Sequence, residues 1–342
     1  MRIAQLCPLF VPVPPEGAGG TERVVADLTH ALIARGHEVE VFAASGSSVP
    51  GLRDMGAPIS TLTGAPPGLP GAREAVMLDR VAAEAERFDV IHCHTEFAHA
   101  AVLREHAQRT LTTVHWRMDE ADRQTFFSGF PGLPVAAISA AQANDYAGRN
   151  LRGVVHHGLP KDRYTVGAGQ GGYAAFVGRM TDQKRPDAAI RIARGAGLAC
   201  RLAGGVDIGN PRYFDEAVRP LLSEDAVHVG TVDDAGKQSL LGNAVALLMP
   251  IDWPEPFGLV MIEAMACGTP VVAMRRGAAP EIVEDGVSGF LVDTEEEATA
   301  ALRRVGTLDR ARVRAAFEAR FTAVRMAAGY EAIYEGLAGA RS

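Results

Sequence analysis

The sequence predicts an α/β protein built from two open, doubly wound parallel sheets. Short β-branched or apolar runs alternate with segments of helical periodicity along the chain, as they do where helices connect parallel strands. A length of 342 residues is comfortable for two domains. The stretch GLPKDRYTVGAGQGG at 158–172 lacks periodicity, carries five glycines and separates two such series.

The first series, residues 1–160, begins with a predicted strand, RIAQLC at 2–7. In the helix that follows, TERVVADLTHALIARG, Thr21 is the predicted cap and Gly36 the predicted end. The apolar face of this helix consists of Val24, Val25, Leu28 and Leu32. Further strands are predicted at HEVEVFAA (37–44), DVIHC (89–93), TLTTV (110–114), PVAAIS (134–139) and VVHH (154–157).

Residues 161–172 are the predicted linker, and residues 173–320 form the predicted second domain. Its strands are expected at YAAFVG (173–178), CRLAG (200–204), VHVG (227–230), VALLMP (245–250), TPVVAM (269–274) and GFLV (289–292). The tail has helical periodicity, and we expect its last helix, about 321–342, to pack back on the N-terminal domain. Open sheets bind ligands at the carboxyl ends of their strands, here expected in a cleft between the domains.

Composition and charge narrow the class of protein. The chain is 47% hydrophobic and 22% charged, and its net charge of −7 argues against a nucleic-acid binder. The N-terminus lacks the apolar core of a signal peptide, and no run of 18 apolar residues is present, so we expect a cytoplasmic protein without a membrane span. No C-x-x-C pair occurs, so the cysteines are expected to be free buried thiols: Cys7, Cys93, Cys200 and Cys267.

The stretch EPFGLVMIEAMACGTPVVA at 255–273 places Glu263 inside an apolar helix, where an unpaired carboxylate is costly. The helix, predicted from about Phe257, begins at the carboxyl end of a strand, so its N-terminus can bind an anion such as phosphate. Gly258 permits close approach of a ligand, and Glu263 could accept hydrogen bonds from ribose hydroxyls. Glu255 precedes the helix, where the far end of a ligand would lie.

Structural alternatives exist for both carboxylates. Glu255 could simply complement the helix dipole. Glu263 could form a buried ion pair with an arginine such as Arg179.

FVGRMTDQK at 176–184 is a second candidate site. Arg179 and Lys184 follow a predicted strand, and two cations five residues apart suit a diphosphate. The chain has only three lysines, so a lysine here is a mild indication of function. The alternative is a pair of solvated surface cations.

The stretch GAGGTERVV at 17–25 is a third candidate site. The Gly19–Gly20 pair opens a helix and would let an anion approach its N-terminus. A dinucleotide fingerprint would need glycine where Glu22 stands, and the loop before it is too long. A flexible loop with an ordinary cap is the alternative.

Histidines follow two of the predicted strands. His115 comes at the end of TLTTV and could be an acid, a base or a partner of a sugar hydroxyl, although a structural histidine is equally compatible with its position. His92 and His94 flank Cys93, but on a strand the two histidines and the thiol face opposite ways, so we expect no metal site.

Taken together, these motifs resemble the retaining glycosyltransferases of family 4, which have the GT-B fold of two Rossmann-like domains facing across a cleft. Glu255 and Glu263 match that family's E-x7-E spacing. Shorter matches agree with this: VGTVDD (229–234), GAAPEIVEDGVSGFLV (277–292) and YEAIYEGL (330–337). The resemblance is dense from about residue 173 onward and sparser before 160, and it suggests a short bacterial member.

The resemblance implies a role for each candidate residue. Arg179 and Lys184 would bind the diphosphate of a nucleotide-sugar donor, with Gly19 or Gly20 approaching the same phosphates. Glu263 would bind the ribose and Glu255 the donor sugar. The remaining positions would line the base, sugar or phosphate, or lie near the donor sugar: Gly230 and Val232; Phe257, Gly258 and Leu259; and His115.

The expected activity is a metal-independent transfer of a hexosyl group, with retention, to a hydroxyl of a soluble glycan or a secondary metabolite such as an oligosaccharide antibiotic precursor. No cofactor is expected beyond the donor, and membrane contact is expected to be weak and peripheral at most, because the helix near 73–87 has mixed charge. A nucleotide-sugar epimerase, a phosphorylase or an enzyme with a lipid or cell-envelope glycan acceptor remains an alternative on the same fold. An oxidoreductase is disfavoured by Glu22, and a non-catalytic binding protein by the filled charged positions.

Overall fold

A computed structural model of the chain describes residues 1–17 and 19–339. It divides into two compact units. Unit 1 comprises Met1–Pro160 together with the segment that begins at Ala323, and unit 2 comprises Lys161–Thr322.

Unit 1 is built on a seven-stranded parallel sheet with the order β3-β2-β1-β4-β5-β6-β7. The strands are β1 Arg2–Leu6, β2 Glu38–Ala43, β3 Leu52–Asp54, β4 Val90–Cys93, β5 Thr110–Thr113, β6 Val135–Ala137 and β7 Leu151–Val154. The first five helices of the chain belong to this unit: α1 Gly20–Ala34, α2 Leu69–Ala83, α3 His99–Val102, α4 Ala121–Gly129 and α5 Ala140–Asn144.

Unit 2 has a six-stranded parallel sheet with the order β10-β9-β8-β11-β12-β13. Its strands are β8 Tyr173–Val177, β9 Ala199–Ala203, β10 Ala226–His228, β11 Ala246–Met249, β12 Val271–Met274 and β13 Gly289–Val292. Its helices are α6 Pro186–Gly195, α7 Pro211–Tyr213, α8 Asp234–Asn243, α9 Leu259–Ala266, α10 Ala279–Ile282, α11 Glu295–Leu302 and α12 Arg310–Arg320.

The last helix, α13 (Ala323–Gly339), lies in unit 1 beside α1. Tyr330 and Tyr334 of α13 are fully buried, and their hydroxyl groups reach side chains of β4 and β5. The C-terminal helix therefore supplies part of the core beneath the unit 1 sheet.

In each sheet the order in which successive strands are added reverses at one position. In unit 1 the order reverses between β1 and β4, and in unit 2 between β8 and β11. At such a switch point the connections leave on opposite faces of the sheet, and the carboxyl ends of the two strands border a crevice. The candidate residues that follow β1, β5, β8 and β11 lie near these two points.

Most predicted elements are present with boundaries shifted by one or two residues, and GFLV at 289–292 matches β13. Two predictions were wrong. The strand predicted at 154–157 is instead Leu151–Val154, and the cap of α1 is Gly19 rather than Thr21. The short edge strand Leu52–Asp54 was not predicted, because its sequence LRD has no apolar alternation.

The segment expected as a linker, 161–172, packs on unit 2. Gly167 and Gly169 donate backbone hydrogen bonds to Cys267 and Gly242, and Tyr164 is buried. Arg310 accounts for much of this packing, because its guanidinium donates to the carbonyl oxygens of Gly167, Gly242, Ala244 and Cys267.

All four cysteines are buried free thiols, as predicted. Within the described residues, no helix combines the length and the apolar character needed to cross a membrane.

Candidate functional site

The loops after β8 and β11 meet at the switch point of unit 2 through an ion pair between Lys184 and Glu255. Both side chains are largely buried, with exposed fractions of 17% and 8%. A second bridge joins the same loops, because the backbone N–H of Asp252 donates to the carbonyl of Gln183 at 2.9 Å. Two of the residues predicted for donor binding are thus brought together.

Trp253 and Gly277 hold Glu255 in place. The indole Nε1–H of Trp253 donates to Glu255 Oε2 at 2.9 Å, and Lys184 Nζ lies 4.7 Å from the indole ring centroid. Gly277 has a φ of 52°, and a Cβ there would overlap the backbone of Glu255. Only glycine therefore lets the loop after β12 pass so close to the backbone of Glu255.

Three glycines line the carboxyl ends of the neighbouring strands: Gly178 after β8, Gly204 after β9 and Gly230 after β10. Gly204 has a φ of 140° and donates to the carbonyl of Gly230 at 2.8 Å, and a Cβ on Gly204 would overlap the Gly178 carbonyl. Gly230 has a φ of 77°, and Val232 lies half-buried just before α8. At these three positions the edge of the sheet presents backbone without side chains.

Arg179 projects from the same edge. Its side chain is 48% exposed, and Nη1 lies 3.5 Å from Asp207 Oδ1. The structure therefore pairs Arg179 with a carboxylate of the loop after β9, and not with Glu263.

The N-terminus of α9 begins two residues later than predicted, at Leu259, with Gly258 as its N-cap in the left-handed conformation (φ 83°). The Phe257 side chain is buried against Phe321, so this residue can offer a ligand only its backbone. The first turn of α9 has backbone N–H groups without partners inside the helix, and anion binding by these groups stays a prediction.

Glu263 lies in the second turn of α9 and is 2% exposed. Lys237 of α8 donates to Glu263 Oε1, with 2.7 Å between the nitrogen and the oxygen. A buried ion pair was foreseen as an alternative, but with Arg179. Lys237 was missed, and the signal that could have found it was the scarcity of lysine in this chain.

In unit 1 the N-terminus of α1 also begins at glycine. Gly19 is the N-cap, and a Cβ there would lie 2.8 Å from Pro15 Cγ. Glu22 in the first turn is buried, and desolvation raises the pKa of its carboxyl group. The side chains of Pro15 and Glu22 pack so close to Gly19 that its position has no room for a Cβ.

A cavity of about 130 Å³ lies at the switch point of unit 1, over the ends of β1, β4 and β5. Thr21, Thr95, His115 and Trp116 are among the residues that line it. Arg123 also lines the cavity.

His115 is joined to a buried polar chain. His115 Nε2 is hydrogen-bonded to His94 Nδ1 at 2.8 Å, and His94 Nε2 to Gln5 Oε1 at 2.6 Å. Farther inside, Tyr334 contacts both Gln5 and His92. Gln5 was missed, although a lone polar residue in a strand buried on both faces is a visible signal.

Burial determines the protonation of these histidines. Desolvation lowers the pKa of His115 to about 3 and that of His99 to about 4. It also lowers the pKa values of His92, His94 and His157 well below their ordinary range. The rings are therefore neutral at pH 7, and each offers one N–H and one lone pair.

Within residues 1–17 and 19–339, no group of three or more His, Cys, Asp or Glu side chains is arranged to hold a metal ion. His92 and His94 contact Thr113, Tyr334, His115 and Gln5 instead.

Family models match nearly the whole chain. The model described as Glycosyl transferases group 1 matches residues 167–320, which contain the two glutamates and their lysines. The model described as Glycosyltransferase Family 4 matches residues 18–162, which contain His115. The chain belongs to glycosyltransferase family 4.

Among curated relatives, the D-inositol 3-phosphate glycosyltransferase of Mycolicibacterium smegmatis is 33% identical over 192 residues, 52% of this chain and 43% of that protein. A second, from Saccharomonospora viridis, is 40% identical over 146 residues, 38% of this chain and 33% of that protein. These matches span less than half the length of the relatives.

Solved structures match the chain over nearly its full length. AviGT4, a glycosyltransferase involved in avilamycin A biosynthesis, has a TM-score of 0.75 at 25% identity, covering 99% of this chain and 98% of that chain. The predicted GT-B fold of family 4 is confirmed.

Proposed function

We propose that this family 4 protein transfers a sugar from a nucleoside diphosphate sugar to a hydroxyl group of an acceptor, with retention of configuration and without a metal ion. The observation that carries the proposal is the arrangement in unit 2. Glu255 and Glu263, spaced as in the family motif, are each held by a lysine at the carboxyl edge of the sheet.

The donor diphosphate would bind between fixed positive groups. Arg179 offers a half-exposed planar guanidinium that can bind two phosphate oxygens at once, and Lys184 offers a compact ammonium charge. The first turn of α9 supplies backbone N–H groups. These groups would stabilise the charge that develops on the departing diphosphate, a role that metal ions have in other transferases.

The rest of the donor would follow the same edge of the sheet. Glu263 would accept hydrogen bonds from the ribose hydroxyls while Lys237 holds its Oε1 atom. Glu255 would accept hydrogen bonds from the transferred sugar, and the base would lie against the backbone near Gly230 and Val232. Gly19 and Gly20, at the N-terminus of α1, stay candidates for phosphate binding.

Retention is proposed to occur by reaction on one face of the sugar. The acceptor oxygen forms a bond to the anomeric carbon as the bond from that carbon to the diphosphate oxygen breaks. The acceptor proton passes to an oxygen of the departing diphosphate. No covalent enzyme intermediate enters this step.

The acceptor is proposed to be a soluble glycan or a secondary metabolite that offers hydroxyl groups and no phosphate. Arg123 is the cation among the described residues that line the unit 1 cavity, and it already pairs with Glu96 at 2.8 Å and with Asp122. A phosphorylated acceptor that bound in this cavity would have to compete with these carboxylates. The likeness to AviGT4, which is involved in avilamycin A biosynthesis, supports a secondary-metabolite acceptor. The likeness to the D-inositol 3-phosphate glycosyltransferases supports such an acceptor less.

The test is a thermal-shift panel of UDP, GDP, ADP, dTDP and NAD in the presence of EDTA. A ligand at a hundred times its dissociation constant adds about 2.7 kcal/mol, which is readily visible. We expect one nucleoside diphosphate to stabilise the wild type and Arg179→Ala to lose that response. Arg275→Ala is a matched control, because Arg275 is 47% exposed and lies 3.6 Å from Asp293.

Incubation with the matching nucleotide sugar and candidate acceptors then tests transfer. Formation of a product glycoside with the donor's anomeric configuration supports the proposal. Conversion of the donor without an acceptor would instead indicate an epimerase, and a response to NAD alone would contradict the proposal.

A further inference from the structure

The hydrogen bonds beneath His115 form one continuous chain through the interior of unit 1. Gln5 of β1 and His92 of β4 are fully buried, and His94 is 4% exposed. Tyr330 and Tyr334 reach this chain from α13, and Thr113 reaches it from β5. Polar groups buried this deeply are costly unless every donor finds an acceptor, so the direction of each hydrogen bond is constrained.

The amide of Gln5 sets that direction. Its Oε1 atom lies 2.6 Å from His94 Nε2, and a carbonyl oxygen can only accept. With the amide in this orientation, His94 carries its proton on Nε2. Because His94 is neutral, its Nδ1 atom has a lone pair and can only accept.

His115 is the donor to that lone pair. Its Nε2 atom lies 2.8 Å from His94 Nδ1, so His115 carries its proton on Nε2. A neutral His115 then keeps the lone pair on Nδ1. The His115 ring lines the cavity of unit 1.

The hydrogen bonds on the Nε2 side of the Gln5 amide fit the same assignment of donors and acceptors. Gln5 Nε2–H donates to Tyr334 Oη at 3.4 Å, and the Tyr334 hydroxyl donates to His92 Nδ1 at 2.7 Å. His92 Nε2–H donates to Thr113 Oγ1 at 2.7 Å. Thr113 in turn donates to Tyr330 Oη at 3.1 Å. Every group from His115 to Tyr330 thus has a partner with the opposite role.

We propose that Gln5, acting through His94, is a positioning residue that fixes His115 with its proton on Nε2, so that His115 Nδ1 accepts a hydrogen bond from a substrate hydroxyl group. The use of this lone pair by a substrate rests on the proposed function. The tautomer itself does not, because it follows from the buried chain. Gln5 touches no substrate in this scheme.

The first test reads the tautomer directly. Protein labelled with 15N-histidine is studied by long-range 1H–15N correlation at pH 7, and His115 is assigned by the signals lost in His115→Gln. We expect a protonated Nε2 and an unprotonated Nδ1. A protonated Nδ1, or an average of the two tautomers, would overturn the proposal, and this outcome does not depend on any activity.

Three variants then separate positioning from simple packing. Gln5→Met keeps the length of the side chain and removes the acceptor, so His115 should show mixed tautomers and kcat should fall on the order of ten- to a hundredfold, as for other supporting hydrogen bonds. KM for the donor should change little. Gln5→Glu retains an acceptor oxygen, ionised or not, and should restore both the tautomer and most of kcat.

Tyr334→Phe is the matched control. It removes a buried partner from the other end of the same amide and leaves the bond between Gln5 Oε1 and His94 untouched. The tautomer of His115 should therefore stay unchanged. If Tyr334→Phe alters the tautomer as much as Gln5→Met does, general packing and not the Gln5 acceptor controls it.

The outcomes distinguish this proposal from the proposed function. If the protein transfers no sugar, the proposed function fails and the 15N spectrum still decides the tautomer. If it transfers sugar and the tautomer is as expected, but His115→Gln keeps the wild-type rate, then the substrate role of Nδ1 is wrong. If Gln5→Met does not fold, the wild-type spectrum and Gln5→Glu carry the test.

Discussion

Lys237 Nζ lies 2.7 Å from Glu263 Oε1, inside the helical layer of unit 2. Lys184 makes the corresponding ion pair with Glu255. Two of the three lysines of the chain therefore neutralise the two motif glutamates before any ligand binds. This arrangement gives each largely buried carboxylate a positively charged partner, which offsets the cost of burying it.

Lys237→Met should lower the free energy of unfolding of unit 2 by about 3 kcal/mol, because it leaves the carboxylate of Glu263 buried without its partner. Urea unfolding followed by circular dichroism measures the change. The third lysine is the control: Lys161 is 65% exposed beside Glu318, and Lys161→Met should cost less than about 1 kcal/mol. Equal effects of the two substitutions would contradict this account of the buried pair.

The two glutamates should separate in their kinetic effects. Glu255→Gln should lower kcat on the order of ten- to a hundredfold while nucleoside diphosphate binding changes little, since Glu255 is assigned to the transferred sugar. Glu263→Gln should weaken nucleoside diphosphate binding by a similar factor, since Glu263 is assigned to the ribose. Calorimetric titration and initial rates measure the two quantities, and wild-type values in both assays for both variants would refute these roles.

Gly277→Ala should disturb the site through the backbone. The new Cβ would overlap the backbone of Glu255, so the carboxylate must move away from Lys184 and Trp253. We expect lower turnover and a loss of stability above 2 kcal/mol, roughly the sum of left-handed strain and a steric clash.

Gly286→Ala is the control for Gly277→Ala. Gly286 has a φ of 74°, but a Cβ there would meet no atom within 4 Å. This substitution should therefore lower the free energy of unfolding only through the left-handed backbone strain, by about 1 kcal/mol, and should leave turnover unchanged. The difference between the two variants isolates the contact with Glu255.

The sequence was a good guide to features that are local along the chain. Alternating strands and helices predicted both parallel sheets, and the E-x7-E spacing located Glu255 and Glu263 within one βαβ unit. Phe257 marked the start of α9 only to within two residues, because the left-handed Gly258 delays it. Likewise Thr21 was a good cap by residue type, but the chain turns earlier, at Gly19.

Partners that come from distant parts of the chain were the features that could not be predicted. Lys237 reaches Glu263 from another helix, and Tyr334 reaches His92 across 242 residues of sequence. Such pairs depend on how helices pack against a sheet, which no spacing along the chain encodes. The rarity of lysine and the lone glutamine in β1 are visible in the sequence, but the sequence alone does not identify the partners of these residues.

Acid should destabilise unit 1 through its buried histidines. Desolvation holds the pKa of His115 at about 3 and that of His99 at about 4, whereas an unfolded histidine has a pKa near 6.5. Below about pH 6.5 the unfolded chain therefore binds protons that the folded chain does not, and stability falls as the pH falls. The loss continues until the pH reaches the folded pKa values.

Each histidine that stays neutral contributes up to about 1.4 kcal/mol per pH unit in this window. Between pH 7 and pH 5 we expect the free energy of unfolding to drop by at least about 2 kcal/mol, measured by urea unfolding at a series of pH values. His99→Asn and His115→Asn should each flatten the profile, since each removes one group that takes up a proton on unfolding. An unchanged slope in both variants would mean that carboxylates, and not these histidines, control the acid sensitivity.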